Sequence, residues 1–190
     1  MKGVVIGGST GSLGVVLNLL PQVAPEITVP LIIVLHRKGD AGTSLEDLIA
    51  SKTVLTVERV EDKTPLEPGK VFVAPSDYHL LVEKEYILSL DSSEKVLFSR
   101  PSIDVTFQSA AHCFGTNLLG ILLSGANRDG ADGLSAIKAA GGMVAIQDPL
   151  NAANAVMPQA ALEQIRPDFV FKDKDIAPLI HYWSGLTSHR

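Results

Sequence analysis

The sequence predicts an α/β fold: a doubly wound, mainly parallel sheet with helices on both faces and an added antiparallel hairpin, a Rossmann-like three-layer architecture. Two observations carry this. Short unbroken apolar runs alternate along the chain with segments of helical periodicity, the pattern of parallel strands joined by right-handed helical crossovers. The interval from Val71 to Leu90 breaks that alternation with two closely spaced apolar stretches, the mark of a hairpin. A length of 190 residues at 46% hydrophobic suits one domain, 1–190, since domains run to about 100–200 residues.

The elements follow in order. Val4 to Ile6, Leu31 to Leu35, Val54 to Val57, Val71 to Val73, Leu118 to Leu123 and Met143 to Ile146 read as strands buried on both faces. Between them, Leu13 to Val23, Leu45 to Ala50, Val105 to Phe114, Leu134 to Ala140 and Ala155 to Ile165 carry apolar residues at helical spacing. Tyr78 to Val82 and Tyr86 to Leu90, joined through Lys84-Glu85, form the expected hairpin, added to the sheet. Arg166-Pro167 and Thr187 to Arg190 are expected at the surface.

Composition excludes several classes. One cysteine, Cys113, closes no internal disulfide, so a disulfide scaffold is ruled out. A net charge of −5 leaves no basic footprint for nucleic acid. The longest apolar runs, such as Leu31 to Leu35, are too short for membrane insertion. The first residues run straight into a strand and leave no room for a signal peptide. The expectation is a globular protein of the reducing cytoplasm.

In open parallel sheets ligands bind outside the carboxyl ends of the strands. Gly7-Gly8-Ser9-Thr10-Gly11 sits at the first such end and fits G-x-S-x-G between a strand and a helix, the setting of a nucleophile elbow with helix amides aimed at an oxyanion. The overlapping stretch Gly8 to Gly14 equally fits a glycine-rich loop for a dinucleotide pyrophosphate. An NAD site wants an acidic residue about 20 positions further on, where this chain offers His36, Arg37 and Lys38. Those basic residues suit the 2′-phosphate of NADP, but no Tyr-x-x-x-Lys pair accompanies them. An NADP-binding reductase or regulatory protein is therefore the second reading.

A serine hydrolase needs what His36 offers: an imidazole at the neighbouring strand end to take the Ser9 proton and return it to the leaving group. Asp129, after the run Leu118 to Leu123, is the candidate carboxylate, although Asp129 or Asp132 would equally serve the next helix as a cap or first-turn charge. His79 is a possible base, or a residue of a capped turn. The scattered histidines and lone Cys113 give no metal-ligand cluster, so neither metal nor cofactor is expected.

The ordered series of motifs resembles the catalytic domain of the CheB-type protein-glutamate methylesterases over essentially the whole chain. It comprises Ile6 to Gly11, the strand ending at His36, Val71 to Leu80, Arg100 to Val105 with Phe107 and Ser109 to Ala111, Ser124-Gly125 through Asp129-Gly130, Gly141-Gly142 with Gln147-Asp148, and Met157-Pro158 with Ala160-Ala161. The resemblance implies a Ser–His–Asp hydrolase with Ser9, His36 and Asp129 as catalytic residues, and oxyanion support at Thr10 and in the loop at Ala126. It implies as substrate the γ-glutamyl methyl ester of a methylated chemoreceptor cytoplasmic domain or similar coiled-coil protein, with deamidation of glutamine as a related reaction. Family members usually carry an N-terminal receiver domain; this sequence begins at the catalytic strand, so a separate receiver or regulatory protein is a possible partner. Three departures from the family pattern, at four positions, lie near the expected pocket: Ala126 for methionine, Leu35 and Arg37 around His36, and Ser12 for glycine. Ala126 and Asn127 keep a third reading open, a catalytically decayed adaptor.

Overall fold

Val4, Val5 and Ile6 are fully buried, as are Leu31 to Val34 on the neighbouring strand, so these unbroken apolar runs are covered on both faces. The structure is a computed structural model and describes residues 1–37 and 45–186. Lys38 and the terminal segment 187–190 lie outside the described residues.

The chain runs through β1 (Gly3–Gly8), α1 (Ser12–Leu19), β2 (Leu31–Leu35), α2 (Leu45–Ala50), β3 (Thr56–Arg59), β4 (Thr64–Pro65), β5 (Lys70–Val73), β6 (His79–Glu83) and β7 (Ile87–Asp91). It continues through α3 (Ile103–Phe114), β8 (Leu118–Leu122), α4 (Ala131–Ala139), β9 (Met143–Gln147), α5 (Val156–Gln164), β10 (Phe169–Phe171) and α6 (Ile176–Ser184). Seven strands form one parallel sheet in the order β10-β9-β8-β1-β2-β5-β3. From β1 the chain adds β2, then the edge strand β3, then β5 between those two, before it crosses back to β8 and builds outward on the other side. The carboxyl end of β1, flanked by those of β2 and β8, is therefore the reversal point where such sheets form a crevice.

Strand residues alternate between two cores. Val4, Ile6, Leu31 and Ile33 pack with Val16 and Leu19 of α1, Ile49 of α2, and Ile176, Ile180 and Trp183 of α6. Val5, Ile32, Val34 and Phe72 face the other way, toward Phe107 of α3, Leu134 and Ile137 of α4, and Met157 of α5. Each fully buried large side chain contributes about 1.5–3 kcal/mol, so both faces anchor the strand ends that carry the site.

Three expectations need correction. The hairpin β6–β7 forms in the expected antiparallel pairing, with Leu80 opposite Leu90, but it does not join the main sheet. Both flanks of β5 are occupied, by β2 and β3, so the hairpin pairs with β4 in a separate three-stranded sheet, β4-β7-β6, which seals the second core through Leu80, Val82 and Leu88. The strand expected at Val54 to Val57 starts two residues later and is an edge strand, not one buried on both faces; Val54 is 80% exposed. The first helix, expected to reach Val23, ends at Leu19, because Pro21 has no N–H to continue it; a short 3₁₀ turn, Leu20–Gln22, follows. β4, β10 and α6 were not expected.

Candidate active site

Ser9 directly follows β1, and its N–H donates to the Ser124 carbonyl at 2.8 Å, which extends the pairing of β1 with β8 to the elbow. The turn closes underneath: the Ser12 amide and hydroxyl both donate to the Ser9 carbonyl, at 3.0 and 2.6 Å. Gly11, at φ 87°, caps α1 in a left-handed conformation that costs glycine little. Ser12 is fully buried, so this departure from the family pattern tightens the elbow rather than lining the pocket.

His36 leaves β2 one strand over. Its N–H donates to the Gly8 carbonyl at 3.1 Å, in register with the pairing of Gly8 and Leu35. Ring Nε2 lies 2.6 Å from Asp129 Oδ2, which leaves Nδ1 as the nitrogen available to a substrate-side proton. Among the described residues the Ser9 hydroxyl has no hydrogen-bond partner; catalytic hydrogen bonds are often open without substrate.

Asp129 is completely buried. Besides the imidazole it accepts from the Ile103 amide at 2.8 Å, the Asp104 amide at 2.9 Å and the Ser102 hydroxyl at 3.0 Å. Burial opposes its charge, but the His36 ring and the Asp104 and Ile103 amides outweigh that and hold the carboxyl below its ordinary value. Asp132, the other carboxylate considered, pairs with Arg128 at 3.1 Å on the outside of α4. The structure thus brings Asp129, and not Asp132, to His36.

The Thr10 and Ala126 amides carry no hydrogen bond among the described residues. The Gly125 amide is committed, donating to the Asn154 carbonyl at 3.2 Å. Gly125 is a close approach: a Cβ there would stand 2.4 Å from Met157 Cε and 3.0 Å from Ser9 Cβ. Beside His36 opens a cleft of about 380 Å³ whose walls include Arg37, Asp77, Phe98 and Arg100.

Among the described residues, the second strand end leaves no uncommitted cation for a nucleotide phosphate. Both terminal nitrogens of Arg37 are engaged by the Glu46 carboxylate, at 3.3 and 2.5 Å, and His36 is tied to Asp129. His79 is structural: buried, it accepts from the Ser102 amide at Nδ1 (3.1 Å) and donates from Nε2 to the Glu94 carbonyl (2.9 Å). Ser102, Asp104 and Gln147 matter to the site but carried no role in the sequence reading. Gln147 accepts from the Ser124 amide at 2.7 Å and so fixes the loop behind the elbow. The Ser102-to-Asp104 start of α3 offered the only signal, a serine N-cap followed by an acidic first turn.

A serine elbow at the reversal of a doubly wound sheet, with a histidine–carboxylate pair at the adjacent strand ends, defines a hydrolase of the α/β class. More particularly, the chain belongs to the CheB methylesterase family, which it matches over residues 4–180. It is 38% identical to the "Putative protein-glutamate methylesterase/protein-glutamine glutaminase" of Leptospira interrogans, over 94% of this chain and 92% of that protein. It is 31% identical to the protein-glutamate methylesterase/protein-glutamine glutaminase of Thermotoga maritima over 89% of this chain, which spans about half (50%) of that relative. The crystal structure of the Thermotoga maritima CheB methylesterase catalytic domain matches with a TM-score of 0.90 at 29% identity, covering 98% of each chain.

Proposed function

We propose that the chain hydrolyses γ-glutamyl methyl esters of a methylated chemoreceptor, with Ser9 as nucleophile, His36 as general base and acid, and Asp129 as the carboxylate that orients the imidazole. The observation that carries this reading is the His36 ring, held at Nε2 by a buried carboxylate one strand away from Ser9.

Ser9 Oγ adds to the ester carbonyl carbon while His36 Nδ1 takes its proton. The oxyanion is met by the Thr10 and Ala126 amides, an interaction whose loss typically costs about 2.7–4 kcal/mol. His36 returns the proton to the methoxy oxygen, methanol leaves, and a glutamyl ester of Ser9 remains. Water, deprotonated by the same imidazole, then releases glutamate and restores the serine. A γ-carboxamide would enter the same acyl-enzyme and release ammonia, which is the glutaminase reaction in the relatives' names. Converting a neutral ester to a carboxylate changes the receptor by one unit of charge, a local electrostatic edit able to shift a conformational balance.

The test is methanol release from methylated chemoreceptor fragments by wild type and Ser9→Ala. Release by wild type alone supports the reading; equal release by both overturns it.

A further inference from the structure

Of the 6 phenylalanines, Phe72, Phe107, Phe114 and Phe171 are buried and Phe169 is 39% exposed, yet Phe98 is 97% exposed. It stands at the tip of a two-residue hairpin turn closed by paired hydrogen bonds, Val96 N–H to the Ser99 carbonyl at 3.1 Å and Ser99 N–H to the Val96 carbonyl at 2.9 Å. Both central residues have positive φ, 46° at Leu97 and 64° at Phe98. That geometry suits Asn-Gly, whereas bulky apolar residues adopt it only at a cost in backbone energy. Leu97 is exposed as well, so the turn is unfavourable in both backbone and solvation.

The turn is nevertheless held firmly. Arg100 donates to the Ser92 and Ser93 carbonyls at its base, and buried His79 donates to the Glu94 carbonyl. Phe98 lines the same cleft as His36, together with Lys95, Arg100, Arg37 and Asp77. Among the described residues Arg37 Nε and Arg100 Nε are buried without an acceptor, although the chain as a whole has a net charge of −5. Arg37 is neutralised by Glu46 and Asp77 shares the wall, so the positive charge beside the outward aromatic comes from Lys95 and Arg100, which pair with no carboxylate among the described residues. That combination is complementary to an acidic polypeptide that also carries an apolar side chain.

We propose that the Val96–Ser99 turn is the docking edge for the protein substrate: Phe98 and Leu97 receive an apolar side chain near the scissile ester, and Lys95 and Arg100 face a neighbouring carboxylate. This rests on the esterase reading above. Strain and exposure at one turn, persisting because the surrounding chain clamps it, are typical of sites where the strain serves function, and exposed aromatics of this kind become the energetic centres of interfaces.

The test replaces Leu97-Phe98 by Asn-Gly, the pair the turn prefers, so the variant keeps the turn and folds at least as well. Three quantities are compared with wild type: methanol release from a methylated chemoreceptor fragment, the labelling rate of Ser9 by a small organophosphonate, and the affinity of that fragment for Ser9→Ala proteins with and without the turn replacement. The expected result is a fall of about tenfold or more in kcat/KM and in fragment affinity, with Ser9 labelling unchanged. Methanol release and affinity both within twofold of wild type would overturn the docking edge while leaving the esterase reading intact. Wild type that labels at Ser9 yet neither binds the fragment nor releases methanol would overturn the esterase reading, and the docking edge with it.

Discussion

Asp129 and Asp104 each accept hydrogen bonds from the helix to which the other belongs. Asp129, two residues before α4, takes the Ile103 and Asp104 amides of α3, at 2.8 and 2.9 Å. Asp104, in the first turn of α3, takes the Gly130 and Gly133 amides at the start of α4, at 2.8 and 2.7 Å. The two helix N-termini are thus locked together through two buried carboxyls, one of which holds the His36 ring. Orientation of the imidazole is set by the registration of α3 against α4.

The exchange makes stability depend on pH. Burial pushes the Asp104 carboxyl up to about 7, with the Asp129 charge adding to the rise against the Gly133 amide. An unfolded aspartate titrates near 3.9, so between these values the folded chain holds the proton that the unfolded chain has released. The contribution of Asp104 is therefore full below about pH 4 and is lost as pH rises toward 7. Asp129, held low, acts in the opposite sense, its contribution being lost in acid. Asp104→Asn keeps an oxygen for both glycine amides and cannot ionise. Thermal melts at pH 5 and pH 8 should show a smaller drop for this variant than for wild type. Equal drops would mean that Asp104 does not titrate in this window.

Asp129→Asn should cost both rate and stability. The carboxylate accepts four hydrogen bonds, two on each oxygen, and an amide replaces one oxygen with a donor that faces donors. In other triads the equivalent change lowers turnover by about 10⁴-fold. Here a buried N–H or O–H also loses its acceptor, at about 1–3 kcal/mol. Denaturant unfolding alongside the esterase assay checks both; a variant as stable as wild type would place the buried network outside the folding balance.

Much of this arrangement was legible in the sequence and some of it was not. The runs Leu31 to Leu35 and Leu118 to Leu123 announced buried parallel strands, because only strands covered on both faces stay apolar at every position. Ser9, His36 and the Asp129 loop fell at strand ends, where the fold must gather them. α6 does carry a signal in the sequence: Ile176, Leu179, Ile180 and Trp183 are spaced for one helical face, and all are buried. β10 has three residues and β4 two, one a proline, too short to show any period. The reciprocal capping by Asp104 joins positions 26 and 29 apart, and local pattern carries no trace of such pairings.

Ser9→Ala and His36→Ala should separate chemistry from folding. Ser9 is partly exposed and its hydroxyl has no partner among the described residues. Asp129 without the imidazole still accepts from Ser102, Ile103 and Asp104. Ser9→Ala should unfold within about 0.5 kcal/mol of wild type, as surface substitutions do, whereas His36→Ala removes one of the four donors to buried Asp129 and should cost about 1–3 kcal/mol. Each should also lose ester hydrolysis by at least about 10⁴-fold, by analogy with serine and histidine deletions elsewhere. Cys113→Ser, on the face of α3 toward the Glu83 carbonyl, should leave the rate unchanged.

Gly125→Ala tests whether the elbow tolerates any shift. The added methyl would meet Met157 Cε at 2.4 Å and Sδ at 2.6 Å, and Ser9 Cβ at 3.0 Å. The thioether can swing aside, although Met157 is fully buried, and such overpacking costs about 1–3 kcal/mol. Ser9 can yield only by moving the nucleophile, and a displacement of about 1 Å can cost about 100-fold in rate. The double variant Gly125→Ala/Met157→Ala separates the two contacts. Removing the thioether should return part of the stability measured by denaturant unfolding, while kcat stays low because the contact with Ser9 remains. Recovery of kcat in the double variant would instead assign the rate loss to Met157 and leave the serine undisplaced.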